Sequence, residues 1–196
     1  MDGDRIDGPL YRIRFIGAQK NQIITGGVFM PAKKASTARE RDASLRQHLV
    51  TLLTNGHAHA DFDSAIRKIP PALEGKRPKS AAHSLWEVLE HMRIAQWDIL
   101  EFSRNPGHKS PDWPKGYWPD SPTPPDAKAW DKSVRAFRKD LKAMCALVTD
   151  PATDLYARIP HGDGQTILRE ALLAADHNSY HLGELVLLRR ILGCWK

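Results

Sequence analysis

The chain has 196 residues, of which 41% are hydrophobic and 27% charged, and carries a formal net charge of +6. That length suits one domain with a real core, and the longest apolar runs, such as Ala171 to Ala175, fall far short of the roughly 20 residues that span a bilayer. Lys and Arg are interleaved with acids along the whole chain and so form no nucleic-acid footprint, while two cysteines, Cys145 and Cys194, make no disulfide framework and point to a reducing cytoplasm.

Residues 1–29 alternate short β-like runs, Tyr11 to Ile16 and Gln22 to Thr25, with glycines, and Met30 then precedes a polar stretch that approaches a helix. Two readings of this segment stand level: an extra piece ahead of a natural start at Met30, or a short hairpin packed on the domain. No hydrophobic stretch with a cleavage site marks a secretory peptide. The chain divides at this stage into an N-terminal extension, residues 1–36, and a helical domain, residues 37–196.

The first helical pattern runs from about Ala43 to Leu53, with Leu45, Leu49, Leu52 and Leu53 at helical spacing, and Asn55-Gly56 breaks it. A shorter piece from Phe62 to Lys68 is expected to stop at Pro70-Pro71. The next helix opens at Ser84, where the serine and Glu87 fit the pattern of a capping box. Its apolar stripe reads Leu85, Val88, Met92, Ala95, Ile99 and Phe102, and Glu87, Glu90, Arg93 and Arg104 are expected on the solvent face. His91 falls on the apolar side or its edge.

Between Ser103 and Lys128 seven prolines accompany Trp113, Tyr117 and Trp118, which forbids regular structure through most of the span. A loop this long in a compact domain usually has a job, and the Trp113 to Trp118 stretch is expected to cover a pocket. A third long helix, about Trp130 to Val148, should bury Val134, Phe137, Leu141, Met144 and Cys145. After Pro151 and Pro160 the last helix runs from about Thr166 to Leu192, with Ile167, Ala171, Ala174, His181, Leu185, Leu188 and Leu192 in one stripe, His177 beside it, and Gly193 closing it. Four main helices, one long Pro-rich crossover loop and no convincing strand pair after residue 40 predict an all-α, up-down four-helix bundle.

Chemistry concentrates in Asp176-His177-Asn178-Ser179-Tyr180-His181. Imidazoles four residues apart share a helix face and can turn one nitrogen each to a common metal ion about 2.0–2.1 Å away. His91 is the best-placed third ligand on another helix. Both paired rings lie on or beside the apolar stripe, where a buried imidazole needs a specific partner. Asp176 and Glu184 flank the pair as candidate acceptors that would fix the ring tautomers, although a plain surface role suits either acid.

These two segments carry a resemblance. Leu168 to Val186 looks like the last helix of the DinB-like, damage-inducible four-helix bundle superfamily, which includes YfiT-like proteins, and His83 to Met92 resembles its second helix. The similarity extends in helix order over about Ala43 to Trp195 and leaves residues 1–36 outside. It implies a divalent metal, zinc or nickel, held by His91, His177 and His181.

The other histidines fit plainer roles. His57 and His59, two apart, would point to different helix faces; His59 and His161, each close to a helix start, are second choices for lining the pocket; His48, His83 and His108 read as surface or capping residues, His108 on a mobile loop. Three nitrogen ligands leave a coordination position open, the arrangement of a catalytic site, where the metal lowers the pKa of a water or thiol. The resemblance implies transfer of a low-molecular-weight thiol, of the bacillithiol, mycothiol or glutathione type, to a small electrophilic molecule, with Arg93 or Arg189 as candidates to meet an anionic cofactor. The alternatives are a metal-dependent hydrolase, or a non-catalytic metal-binding stress-response bundle that forms a homodimer through an exposed apolar helix face. DNA binding gains little support, since no helix clusters Arg and Lys for groove recognition.

Overall fold

The computed structural model of the protein describes residues 36–54 and 58–195. The N-terminal extension, the choice between Met30 and a hairpin, the Asn55-Gly56 break and His57 all lie outside the described residues. Within them the chain is helical, with six α-helices in order: α1 Ala38–Thr54, α2 Phe62–Ile66, α3 Pro71–Glu74, α4 Leu85–Arg104, α5 Ala129–Thr149 and α6 Ile167–Ile191. A single antiparallel bridge, Arg158 to Thr166, is the only strand-like pairing among them.

Helix α1 begins five residues before the predicted Ala43. Thr37 and Glu40 form a reciprocal cap there: the Thr37 amide donates to Glu40 Oε2 (2.7 Å) and the Glu40 amide to Thr37 Oγ1 (3.2 Å). A Thr-x-x-Glu cap satisfies two of the orphan donors of the first turn and outweighs the weak apolar signal of Ala38 to Asp42. Helix α2 ends at Ile66, ahead of Pro70-Pro71, and Pro71 also opens α3, since proline at the first helical position gives up only an amide that has no partner there,.

The four long helices pack in a ring: α4 lies against α5 and α6, and α1 closes the other side against the same two. Two apolar clusters fill the interior. One joins Leu85, Leu89, Met92, Phe137 and Leu185 with Phe62 and Ile66 of α2; the other joins Leu49 and Leu53 of α1 to Ile99, Met144, Leu155 and Ala171. Burial of a Leu or Phe contributes roughly 1.5–3 kcal/mol, so these clusters drive assembly.

Helix α4 is buried nearly all round, which corrects the expected solvent face. Glu87 and Glu90 are both buried and both partnered, Glu87 by Arg77 and Glu90 by Arg93 and the Ser133 hydroxyl. The cause is topological: α5, α6 and the Pro-rich loop surround α4, leaving little of its circumference to water. Leu141 and Cys145 of α5, expected in the core, are only half-buried.

The loop from Asn105 to Lys128 contains only a short 3₁₀ turn, Lys115–Tyr117. It is nonetheless fixed at several points. Asp98 of α4 accepts from the Tyr117 hydroxyl (2.6 Å) and bonds His108 Nε2 (2.7 Å), and the Ser84 hydroxyl at the start of α4 donates to the Pro122 carbonyl (2.6 Å). Loop and helix are thereby tied at both ends of α4.

Candidate metal centre

The capping box predicted for α4 is present: Ser84 accepts from the Glu87 amide (3.2 Å) while Glu87 Oε2 accepts from the Ser84 amide (2.7 Å). Fixing that first turn sets the rotation of the helix and so the direction of His91, two turns on. Helix α6 is capped by Thr166, whose hydroxyl accepts from the Arg169 amide (3.1 Å). Glu184 lies against His83 at the start of α4 and Asn178 against Gln96 further along it, so numbers fall along α6 as they rise along α4 and the two helices run antiparallel. The buried hydrogen bond from Asn178 Nδ2 to Gln96 Oε1 (2.7 Å) locks their register beside His177.

That register brings His91, His177 and His181 together. His91 Nε2 lies 3.0 Å from His177 Nε2, the ring centroids of all three are 4.6–4.9 Å apart, and one nitrogen of each falls within 4.8 Å of the others. His91 and His181 are 4% and 7% exposed, and His177 is half-buried.

The outer nitrogens show which atoms face the shared point. His91 Nδ1 sits 2.9 Å from the Tyr117 carbonyl, which only accepts, so this nitrogen carries the proton and Nε2 presents a lone pair,. His181 Nδ1 lies 2.9 Å from Glu184 Oε2, and the same assignment follows. Burial, then repulsion from His181 and His91, lowers the His177 pKa to about 4, so that ring is neutral at physiological pH,. Burial also lowers His91, against the opposing effect of its bond to the Tyr117 carbonyl. Three imidazole nitrogens brought this close, with the outer nitrogens of His91 and His181 committed to acceptors, form the donor set of a divalent cation, whose bonds of about 2.0–2.1 Å need ligand atoms only a few ångströms apart,. The buried His177 Nδ1 has no partner among the described residues.

A second layer surrounds the rings. Trp118 is sandwiched between His91 and His83, with centroids 4.0 Å away on each side. Glu184 bridges His181 and His83, its second oxygen 3.2 Å from His83 Nδ1. Burial pushes the Glu184 carboxyl up, but the hydrogen bonds and positive charge of these two histidines outweigh it and hold the group below the usual carboxylate range. The loop thus reaches the centre twice, through the Tyr117 carbonyl and the Trp118 ring, whereas Trp113 is largely exposed.

Of the flanking acids, Glu184 is an acceptor on a site histidine; Asp176 is exposed and bonds neither ring. Arg93 is held by Glu90, and Arg189 is buried, donating to the carbonyls of Ser64, Ala65, Arg67 and Cys194, so neither faces the centre as an anion binder. His59 and His161 bond backbone carbonyls of Ala60 and Phe102 instead of lining the site. His108, expected on a mobile loop, is packed against Asp98. His83, expected at the surface, belongs to the second layer; it precedes the helix, where periodicity says nothing about direction.

Fold and centre together define a helical bundle with three histidines able to hold a metal ion between two antiparallel helices. A family model described as the DinB superfamily matches residues 33–185, most of the chain, and the protein belongs to that superfamily. No curated protein and no solved structure matches the chain significantly.

Proposed function

We propose that the protein is a divalent-metal-dependent enzyme that joins a low-molecular-weight thiol to a small electrophilic molecule. The observation that carries the metal is the orientation of His91 and His181. Each has its outer nitrogen committed to an acceptor, the Tyr117 carbonyl or the Glu184 carboxylate, so each must offer a lone pair inward. His91, His177 and His181 would hold zinc or nickel. When bound, such an ion supplies Lewis acidity that lowers the pKa of a thiol or water at its open position.

The chain's own groups do the rest. Glu184 and the Tyr117 carbonyl fix two ring tautomers and orient the rings. Trp118 covers one face of His91 and, with His83, excludes water from that side of the centre. The thiol is supported by the resemblance of the two histidine helices to the superfamily. The test is calorimetric titration of the metal-loaded protein with bacillithiol, mycothiol and glutathione, followed by turnover with a small electrophile. Binding of one thiol that is lost with His177→Ala supports the transferase; metal binding with no thiol affinity and no turnover would leave a metal-binding bundle instead. No helix among the described residues is long and apolar enough to cross a membrane.

A further inference from the structure

A cleft of about 870 Å³ opens between α4, α5 and the last residues of the Pro-rich loop. Its size falls in the range of small-molecule sites, roughly 300–1,000 Å³. It is separate from the metal centre. Helix α4 faces it with Trp86, Glu90 and Arg93, four and three residues apart, and none of the three clustered histidines lines it. Glu90 and His91 are neighbours in sequence, so they point about 100° apart around the helix and serve different sides of it.

The floor of the cleft carries a buried ion pair. Glu90 is 8% exposed and accepts from the Ser133 hydroxyl and from Arg93 Nε and Nη2, the last two at 2.9 Å each. A buried pair of this kind adds little net stability, because both charges leave water. What it supplies is orientation. The guanidinium is gripped along one edge, and its Nη1 has no acceptor among the described residues. An arginine fixed in this way has little freedom left to lose on binding a carboxylate. Beside it Trp86, 5% exposed, also lines the cleft with an indole N–H that meets no acceptor among the described residues, although so deeply buried a donor calls for one,.

We propose that this cleft binds a small organic anion with a flat apolar body, of the aryl monocarboxylate class. Its carboxylate would meet Arg93 Nη1 and the ammonium groups of Lys128 and Lys132, which stand one turn apart at the rim. Both lysines are exposed, and neither ammonium has a hydrogen bond or ion pair among the described residues. The two acids on the cleft are already engaged, Glu90 by Arg93 and Ser133 and Asp126 by the Lys128 amide (2.7 Å). Three cations against two acids favour one negative charge over two. The apolar body follows from the remaining wall, where Trp86 lies with Pro125, Ala127, Ala129 and Ala136, side chains too small to fill the space themselves,. The site stands on these residues alone and does not depend on the metal or the thiol.

The test is calorimetric titration of the full chain with cinnamate and with its uncharged amide, in chelator so that no metal takes the carboxylate. The indole N–H resonance of Trp86, assigned with Trp86→Phe, is followed alongside. Saturable binding of cinnamate that moves this resonance is expected, with the amide at least about tenfold weaker for want of the charged contact. Arg93→Gln and the double variant Lys128→Glu/Lys132→Glu should each lower the affinity at least about tenfold. His177→Ala should bind as the wild type does, which separates this site from the metal centre. The lysine variant alters exposed positions, so it decides the matter even if Arg93→Gln fails to fold. No saturable binding into the millimolar range overturns the proposal. So does equal affinity for the amide, an affinity unmoved by the lysine reversal, a loss with His177→Ala, or a Trp86 resonance that stays in place.

Discussion

Trp118 lies flat on the imidazole of His91, with ring planes 2° apart and centroids 4.0 Å apart. Its other face stacks on His83, also at 4.0 Å. A residue of the Pro-rich loop therefore sets the plane of a candidate metal ligand on α4. Stacked aromatic pairs contribute about 0.5–1.5 kcal/mol each. Trp118→Ala is expected to weaken zinc or nickel binding roughly tenfold, since about 1.4 kcal/mol corresponds to one decade. Calorimetric titration of the metal-free protein checks this, and an unchanged affinity would detach the loop from the centre.

Glu184 serves His181 and His83 at once. Replacing its charge while keeping its shape, as in Glu184→Gln, should lower metal affinity about 10- to 100-fold, the usual effect of losing an outer partner of a ligating histidine. Competition with a chromophoric chelator measures it. His83→Ala removes the second of the two bonds and one face of the Trp118 stack but leaves His181 its acceptor, and should cost less than Glu184→Gln.

Tyr117 is pushed up to about 12 by burial and by its bond to Asp98, so its hydroxyl stays protonated and donating well into the alkaline range. Tyr117→Phe deletes the donor and leaves a buried carboxylate with His108 as its remaining partner. The expected loss of stability is about 1–3 kcal/mol, read from denaturant unfolding. Faster proteolysis within residues 105–128 should accompany it, because this bond ties the loop to α4.

For the metal-free protein, His177 also predicts a pH dependence. Its folded pKa of about 4 lies below the ordinary value of 6.5. Between those values the unfolded chain binds a proton that the folded chain does not, so stability rises with pH through this window and is unaffected by His177 above it. The change is on the order of 2 kcal/mol, discounted for the half-exposed ring. Thermal unfolding in chelator at pH 4.5 and pH 7 should show the lower melting temperature in acid, and His177→Ala should reduce that difference.

Much of the fold was legible because its signals are local. The Ser84–Glu87 box marks the start of α4, helical spacing from Ile167 to Leu188 marks α6, and the His177–His181 pair carries its own geometry in its spacing. The third histidine of the cluster was also legible, since His91 sits near the apolar stripe of a helix whose start was known. What sequence could not supply were partnerships across the fold. Glu87 and Glu90 look like solvent residues until Arg77, Arg93 and Ser133 are placed beside them. His83 and Trp118 are 35 positions apart and meet only because the loop folds back over α4.

The central claim is that His91, His177 and His181 hold one divalent cation. It is tested most directly by elemental analysis of protein purified without an affinity tag, alongside His177→Ala of unchanged helical content. Close to one zinc or nickel per wild-type chain is expected, and almost none in the variant. A wild-type chain that binds no divalent metal even after titration, or a variant that keeps its full complement, would contradict it.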